Sequence, residues 1–292
     1  MCDDATISDM NDHQRCAEAL TRRQFGALSI GTGLAMLLPR AANALDVAGA
    51  DIQVQTSDGM ADCFFVHPDS GKYPGVLIWP DAFGLRDAFK QMATRLAESG
   101  YAVLVVNPYY RLKKAPVVPE GASFADDETR STLRAMMGSL NAETNTTDAK
   151  AFVEFLDAQA AVDTDRKLGT TGYCMGGPMT MRTAAVLPER IGAAGSFHGA
   201  RLVTDGLDSP HLLVPRMKAH YLIAIAENDD QRQPEAKNVL RQAFAAAALP
   251  AEIEVYEGAL HGWCPPGSAV YNAAQAEHAW SRLLARFQTA LA

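Results

Sequence analysis

The sequence predicts an α/β protein with a doubly wound, mostly parallel sheet and helices on both faces of the sheet. Short continuous apolar runs, such as residues 75–79 and 102–106, alternate with amphipathic stretches along most of the chain. Strands that are buried on both faces of a parallel sheet show this continuous apolar pattern. Residues 45–292 contain no repeat, low-complexity run or linker, so we expect one domain there.

The elements follow in order from the start of that domain. Residues 51–56 and 62–67 flank the turn signal Ser57-Asp58-Gly59 and predict an opening hairpin. The helical pattern at 88–99 ends before Gly100, a residue type that often terminates helices. The later predicted elements are helix 149–159, strand 167–172, helix 175–187, strands 191–197 and 220–226, helix 235–247, strand 252–256 and helix 272–291.

Residues 112–147 have the least regular pattern of the domain. They contain two prolines, Pro116 and Pro119, followed by the acidic run Asp126-Asp127-Glu128. Irregular connections of this length are usually functional. The pattern is compatible with a lid over a binding site and with an elaborated crossover between two strands.

The first 44 residues are typical of a cleaved export signal. Arg22 and Arg23 precede a short uncharged apolar run at 25–38, and Ala42-Asn43-Ala44 provides a small-residue cleavage site. The paired arginines resemble the twin-arginine signals of bacterial export. We therefore expect the export machinery as a partner, a periplasmic or secreted product beginning at residue 45, and no stable membrane anchor after cleavage. An amphipathic N-terminal helix is the alternative.

Charge and cysteine content argue against nucleic-acid binding, a disulfide framework and a zinc site. The chain has 292 residues and a formal net charge of −8, which argues against nucleic acid, since phosphate binding needs a basic face. The cysteines are scattered singly and form neither a disulfide framework nor a zinc-ligand pattern. We expect no metal and no cofactor. The five cysteines are Cys2, Cys16, Cys63, Cys174 and Cys264.

One motif carries a candidate nucleophile. Gly172-Tyr173-Cys174-Met175-Gly176 joins a predicted strand to a predicted helix, which is the context of a nucleophile elbow with cysteine in place of serine. The turn is strained, so the flanking positions must lack bulk. The helix N-terminus favours a thiolate and points the Met175 N–H at a developing oxyanion. A buried structural cysteine is the alternative.

An acid and a base follow in the order that such enzymes use. The strand at 220–226 ends before Asp229 and Asp230, either of which would orient an imidazole, unless this is only a solvated turn. His261 stands in a glycine-flanked loop after the next strand and is the candidate base. His198, which also follows a strand, is the second candidate base or a pocket residue.

Gly-Tyr-Cys-Met-Gly-Gly at 172–177 and His-Gly-Trp at 261–263 resemble the dienelactone hydrolase family of α/β-hydrolases. The resemblance runs over nearly all of residues 45–292. It implies the α/β-hydrolase fold and hydrolysis of a small ester or lactone through a triad of Cys174, His261 and an aspartate. Pro234-Glu235 has the family's spacing from Asp229, which favours Asp229 over Asp230.

The resemblance also assigns roles around the nucleophile. The N–H groups of Ala82 and Met175 would form the oxyanion hole. Asp81 stands where the family has a glutamate that contacts the thiol, although it is one methylene shorter. Arg111 matches the arginine that binds a substrate carboxylate. The other implied substrate-contacting residues are Phe83, Tyr110, His198 and Trp263.

The sequence departs from the family at a second basic contact. The stretch after the histidine is Cys264-Pro265-Pro266 and contains no cation, which weakens the case for the dienelactone itself as substrate. We expect acyl transfer through a thioester on Cys174. A catalytically silent exported binding protein and a thiol-redox protein are the alternatives, although no Cys-x-x-Cys pair supports the latter.

Overall fold

The computed structural model describes Leu38 and residues 44–292. The predicted export signal lies almost wholly outside these residues and stays a prediction. In the described part of the chain, no helix combines the length and apolar character that crossing a membrane requires.

The order of strands and helices follows the predicted alternation. The strands are β1 (Val47–Thr56), β2 (Gly59–Pro68), β3 (Gly75–Trp79), β4 (Ala102–Val106), β5 (Leu168–Tyr173), β6 (Ile191–Phe197), β7 (His220–Ala226) and β8 (Ala251–Tyr256). The helices are α1 (Asp87–Glu98), α2 (Asp127–Gly138), α3 (Ala142–Asp157), α4 (Gly176–Val186), α5 (Glu227–Arg232), α6 (Ala236–Ala246) and α7 (Ala273–Ala290), with a 3-10 helix at Pro210–Arg216.

The strands form one eight-stranded sheet in the order β1-β2-β4-β3-β5-β6-β7-β8. β1 and β2 form the expected antiparallel hairpin, and β2 also runs antiparallel to β4. All later neighbours are parallel. From β3 the chain continues to β4 toward one edge of the sheet, and from β5 it continues toward the opposite edge. The switch point therefore lies between β3 and β5, and open α/β sheets bind ligands at the carboxyl ends of strands beside such a point.

Alternate residues of the central strands face two separate cores. In β3, Leu77 and Trp79 pack with helices α3, α4 and α6. Val76 and Ile78 pack with α1 and α7 on the opposite face. Successive side chains of a strand point to opposite faces, so a strand covered by helices on both sides must be apolar throughout. This confirms the doubly wound architecture predicted from the continuous apolar runs.

The irregular stretch 112–147 contains more helix than its pattern suggests. Helix α2 occupies its middle, and helix α3 begins at Ala142 rather than at residue 149. Asn141 starts α3 by accepting hydrogen bonds from the N–H groups of Glu143 and Thr144, while the Thr144 hydroxyl accepts from the Asn141 N–H. This reciprocal cap stabilises a first turn made of polar residues, and a search for apolar periodicity misses such a turn.

Candidate active site

The predicted elbow forms between β5 and α4. Cys174 has a positive φ of 51° and its side chain is buried. A Cβ added to Gly172 would lie 2.1 Å from the carbonyl oxygen of Gly176, and a Cβ added to Gly176 would lie 2.2 Å from that of Trp79. Only glycine fits at these close approaches, so the two glycines permit the strained turn that presents the thiol.

His261 and Asp229 meet beside this thiol. The Nδ1 atom of His261 lies 2.7 Å from Oδ2 of Asp229, and a hydrogen bond joins the His261 ring to the Cys174 side chain. The structure brings Asp229, not Asp230, to the histidine. Asp230 instead accepts two hydrogen bonds from Nζ of Lys237, at 2.7 and 2.6 Å. The segment is also a short helix, α5, rather than the simple turn considered above.

The environment of His261 favours its protonated form. Burial lowers the pKa of His261, but the Asp229 carboxylate and then the Cys174 side chain outweigh burial and raise this pKa to about 10. Asn228 fixes the backbone of His261, because its Oδ1 accepts a hydrogen bond from the His261 N–H at 2.9 Å. The sequence pattern did not single out Asn228 as a site residue, although its position directly before Asp229 could have indicated it.

The oxyanion-hole prediction falls on two N–H groups that remain available. Among the described residues, none accepts a hydrogen bond from the backbone N–H of Ala82 or Met175. Tyr109 connects these two residues: its hydroxyl donates to the Ala82 carbonyl at 2.9 Å and lies 3.0 Å from the Met175 sulfur. Tyr109 is fully buried. It was missed, because the resemblance pointed to its neighbour Tyr110.

Asp81 does not make the expected thiol contact in this structure. Its two carboxylate oxygens accept from Nη1 and Nη2 of Arg86, at 2.6 and 2.8 Å, and one of them also accepts from the Phe83 N–H. The Arg86 guanidinium lies over the rings of Phe83 and Phe89. An arginine and a carboxylate joined by two parallel hydrogen bonds form a strong pair. Asp81 is therefore bound to Arg86, five positions later in the chain, rather than to the thiol.

Arg111 and Tyr110 also lie in a different network from the one expected. The guanidinium of Arg111 donates to Asp58 in the hairpin turn and to both oxygens of Asp148 on α3. Tyr110 donates to Asp148 as well, at 2.8 Å. Burial raises the pKa of Asp148, although the hydrogen bonds from Arg111 and Tyr110 oppose this. A buried carboxylate needs a cation, and Asp148 therefore takes the arginine that was predicted to bind substrate.

His198 lies close to the triad but has a different environment from His261. Its ring centroid is 5.0 Å from that of His261 and 5.0 Å from that of Trp263. Neither ring nitrogen of His198 has a partner among the described residues. Burial, and then the charge of His261, lower the pKa of His198 well below its usual value. His198 therefore lacks the carboxylate partner that His261 has.

Trp263 and Phe83 complete the set of predicted contacts. Trp263 is fully buried and stacks on Tyr256 with centroids 5.3 Å apart, so it packs behind the histidines. Phe83 is partly exposed and meets the ring of Phe124 edge to face, at 5.0 Å. Within the described residues, no three His, Cys, Asp or Glu side chains are grouped in a way that could hold a metal ion.

A nucleophile elbow and an acid–histidine pair, all at the carboxyl edge of a mostly parallel sheet, define an α/β-hydrolase. The chain belongs to the dienelactone hydrolase family, whose model matches residues 61–291. It is a hydrolase that acts on esters or lactones.

Known relatives cover most of the chain. A "Putative carboxymethylenebutenolidase" of Methylorubrum extorquens is 28% identical over 277 residues, spanning 90% of this chain and 91% of its own length. The protein of the same description from Escherichia coli K12 is 27% identical, spanning 92% and 96%. The crystal structure of a "Putative Dienelactone Hydrolase" from Klebsiella pneumoniae has a TM-score of 0.72 at 22% identity, covering 83% of this chain and 99% of that one.

Proposed function

We propose that this protein hydrolyses small esters or lactones through a covalent acyl-enzyme on Cys174. The observation that carries the proposal is the continuous chain of hydrogen bonds from the Cys174 side chain to His261 and from Nδ1 of His261 to Asp229, 2.7 Å away. A nucleophile, a base and an orienting acid in this order form a catalytic triad. The "carboxymethylenebutenolidase" description of the relatives supports a lactone among the substrates.

In the first half-reaction, the Cys174 sulfur attacks the carbonyl carbon, and the proton of the thiol resides on His261. The carbonyl oxygen becomes an oxyanion, which the N–H groups of Ala82 and Met175 stabilise. The intermediate collapses with cleavage of the carbon–oxygen bond, and the leaving alkoxide takes the proton from His261. Asp229 holds the imidazole in one orientation and stabilises its positive charge throughout.

In the second half-reaction, water cleaves the thioester. His261 accepts a proton from the water, the hydroxide attacks the carbonyl carbon, and the carbon–sulfur bond breaks to release the acid and the thiolate. A thiolate is a good leaving group and a good nucleophile, so this chemistry suits activated esters and enol-lactones. The buried position of Cys174, at 3% exposure, keeps the thiolate away from bulk oxidants.

Hydrolysis of p-nitrophenyl acetate tests this proposal. We expect activity in the purified protein and its loss, with the fold intact, in Cys174→Ala and in His261→Ala. Cys63→Ala is the matched control, because Cys63 is an equally buried free cysteine on β2. Full activity in Cys174→Ala would show that the nucleophile is a different residue. Mass spectrometry of a quenched reaction adds a direct readout, since the acyl group should reside on the peptide containing Cys174.

We also propose that residues 1–44 direct export to the periplasm or beyond. Support comes from the Arg22-Arg23 pair, the apolar run and the Ala42-Asn43-Ala44 site. N-terminal sequencing of the periplasmic protein should find Leu45 as the first residue. The double substitution Arg22→Lys and Arg23→Lys should leave an unprocessed cytoplasmic chain. A correctly processed and exported product of that double variant would show that the arginines are not an export signal.

A further inference from the structure

The nucleophile is covered by apolar side chains from the irregular stretch of the chain. We call residues 112–140 the cap. Five of its side chains share one buried cluster with Cys174. The five are Val117, Phe124, Leu133, Met136 and Met137. An acyl group bound to the Cys174 sulfur must therefore enter a space bounded by aliphatic, thioether and aromatic groups.

The arginines of the cap and of its flanking loops are already engaged. Arg86 is held by Asp81, and Arg111 by Asp58 and Asp148, as described above. In the cap, Arg130 donates to the carbonyl of Phe124 and Arg134 also has a partner, whereas the two lysines, Lys113 and Lys114, are exposed. A substrate carboxylate within the buried cluster would have to take an arginine from its present partner or be buried without a cation. Both outcomes are unfavourable.

The site is closed to solvent, and side chains must move to admit a substrate. Cys174 and His261 are 3% and 4% exposed, so a substrate must displace side chains to reach them. The base of the cap is held by side-chain hydrogen bonds from Asn107 to the Lys113 carbonyl and from the Ala115 N–H to Asp62. The two buried methionines of the cap, Met136 and Met137, are unbranched and adopt new rotamers at small cost. They are suited to make room for acyl chains of different length.

From these observations we propose that the enzyme prefers uncharged esters or lactones with an apolar acyl portion, which binds against the underside of the cap. The inference rests on the proposed acyl-enzyme chemistry and adds the class of substrate to it. It differs from the arginine-bound carboxylate that the family resemblance implied. The specificity-determining residues are the cap side chains that share the buried cluster with Cys174, Met136 among them.

A matched series of p-nitrophenyl esters tests the proposal on the full protein. We expect kcat/KM to rise at least tenfold from acetate through butyrate to hexanoate. The p-nitrophenyl hemisuccinate, which carries a terminal carboxylate, should react at least a hundredfold more slowly than the butyrate of similar length. A hemisuccinate rate equal to or above that of the butyrate would overturn the inference, as would a flat chain-length profile.

Substitutions in the cap test where the acyl group binds. Met136→Ala should shift the preferred chain to a longer one, and Met136→Phe should shift it to a shorter one; the two together guard against one variant failing to fold. Met60→Ala is the control, because Met60 is an exposed methionine on β2, and its profile should match the wild type. An unchanged preference in both Met136 variants would place the acyl group elsewhere.

The same experiments separate this inference from the function on which it rests. Hydrolysis that survives Cys174→Ala, or no hydrolysis of any ester in the series, overturns the proposed function and this inference with it. Hydrolysis that depends on Cys174 but favours the hemisuccinate overturns only the substrate class.

Discussion

Two regions of the molecule each pair an aspartate with a basic side chain, and they use the pairing differently. At the triad, Asp229 binds one nitrogen of His261, and the remainder of the ring is directed at Cys174. At the hairpin side, Nε, Nη1 and Nη2 of Arg111 all donate to Asp58 or Asp148. The proposed triad keeps one hydrogen-bonding group of the imidazole for Cys174, whereas the Arg111 network uses all three guanidinium nitrogens to hold the two aspartates.

This difference separates a catalytic charge pair from a structural one. A reacting group must exchange protons or partners during turnover, so part of its hydrogen-bonding capacity has to be free. A structural pair is most stable when all of its polar atoms are satisfied. Substitutions in the first region should therefore change the rate above all, and substitutions in the second should change the stability while leaving the rate nearly unchanged.

The largest expected effect is that of Asp229→Asn on the rate. Loss of the carboxylate that orients and charges His261 should lower kcat on p-nitrophenyl acetate by roughly 10³–10⁴-fold, a larger effect on the rate than any other substitution considered below. Asp230→Asn is the matched control, because Asp230 pairs with Lys237 instead, and it should keep nearly full activity. Equal losses in the two variants would contradict the assignment of Asp229.

Arg111→Ala should show the opposite pattern. Removal of the guanidinium leaves Asp148 buried without its cation, and breaking a buried ion pair costs about 3 kcal/mol or more. Urea unfolding should report this loss, while kcat/KM on uncharged esters stays within a few-fold of wild type. Lys218→Ala, which removes an exposed pair with Glu189, should leave the free energy of unfolding almost unchanged, because solvent screens such pairs. A large rise in KM with unchanged stability would instead place Arg111 at the substrate.

The third expected effect is a pH dependence of stability that comes from the Asp229–His261 pair. The pKa of His261 rises from 6.5 to about 10 in the folded protein, so its protonation stabilises the fold. This contribution is complete below pH 6.5 and is lost as the pH rises to about 10. Unfolding free energies measured across this window should fall less in Asp229→Asn than in wild type. Parallel curves for the two proteins would contradict the pairing as the cause of the raised pKa.

The smallest expected effect is that of His198→Phe on stability. Both ring nitrogens of His198 lack partners within the described chain, so an apolar ring of similar shape should leave stability unchanged or raise it by up to about 1 kcal/mol. The variant should keep measurable activity, because the base that we propose is His261. A loss of activity as complete as that of His261→Ala would give His198 a direct part in the chemistry.

Several parts of the site could be predicted from local sequence. Gly172 and Gly176 mark the elbow, because a Cβ at either position would collide with backbone oxygen atoms. His261 could be identified by its place in a glycine-flanked loop after a strand. Each of these signals depends on backbone geometry within a few residues, which neighbouring residue types largely determine.

Other parts of the site depended on contacts between distant positions. Arg111 and Asp148 are 37 positions apart, and nothing in either local pattern announces the pairing. Tyr109 rather than Tyr110 contacts Ala82 and Met175, the residues proposed for the oxyanion hole. The direction of the chain after β4 decides which of the two tyrosines faces them. Long polar side chains choose among several partners, and only the folded arrangement shows which one they reach.

The sequence by itself determined the alternation of strands and helices, the two-sided burial of the sheet and the order of nucleophile, acid and histidine, because these follow from apolar periodicity and the steric needs of a tight turn. Only the tertiary structure decided between Asp229 and Asp230, gave Asp81 to Arg86, directed Arg111 to Asp148 and packed the cap against Cys174. The physical reason is that periodicity and turn sterics act between neighbours along the chain, whereas ion pairs and apolar contacts form between whichever groups the fold brings within reach.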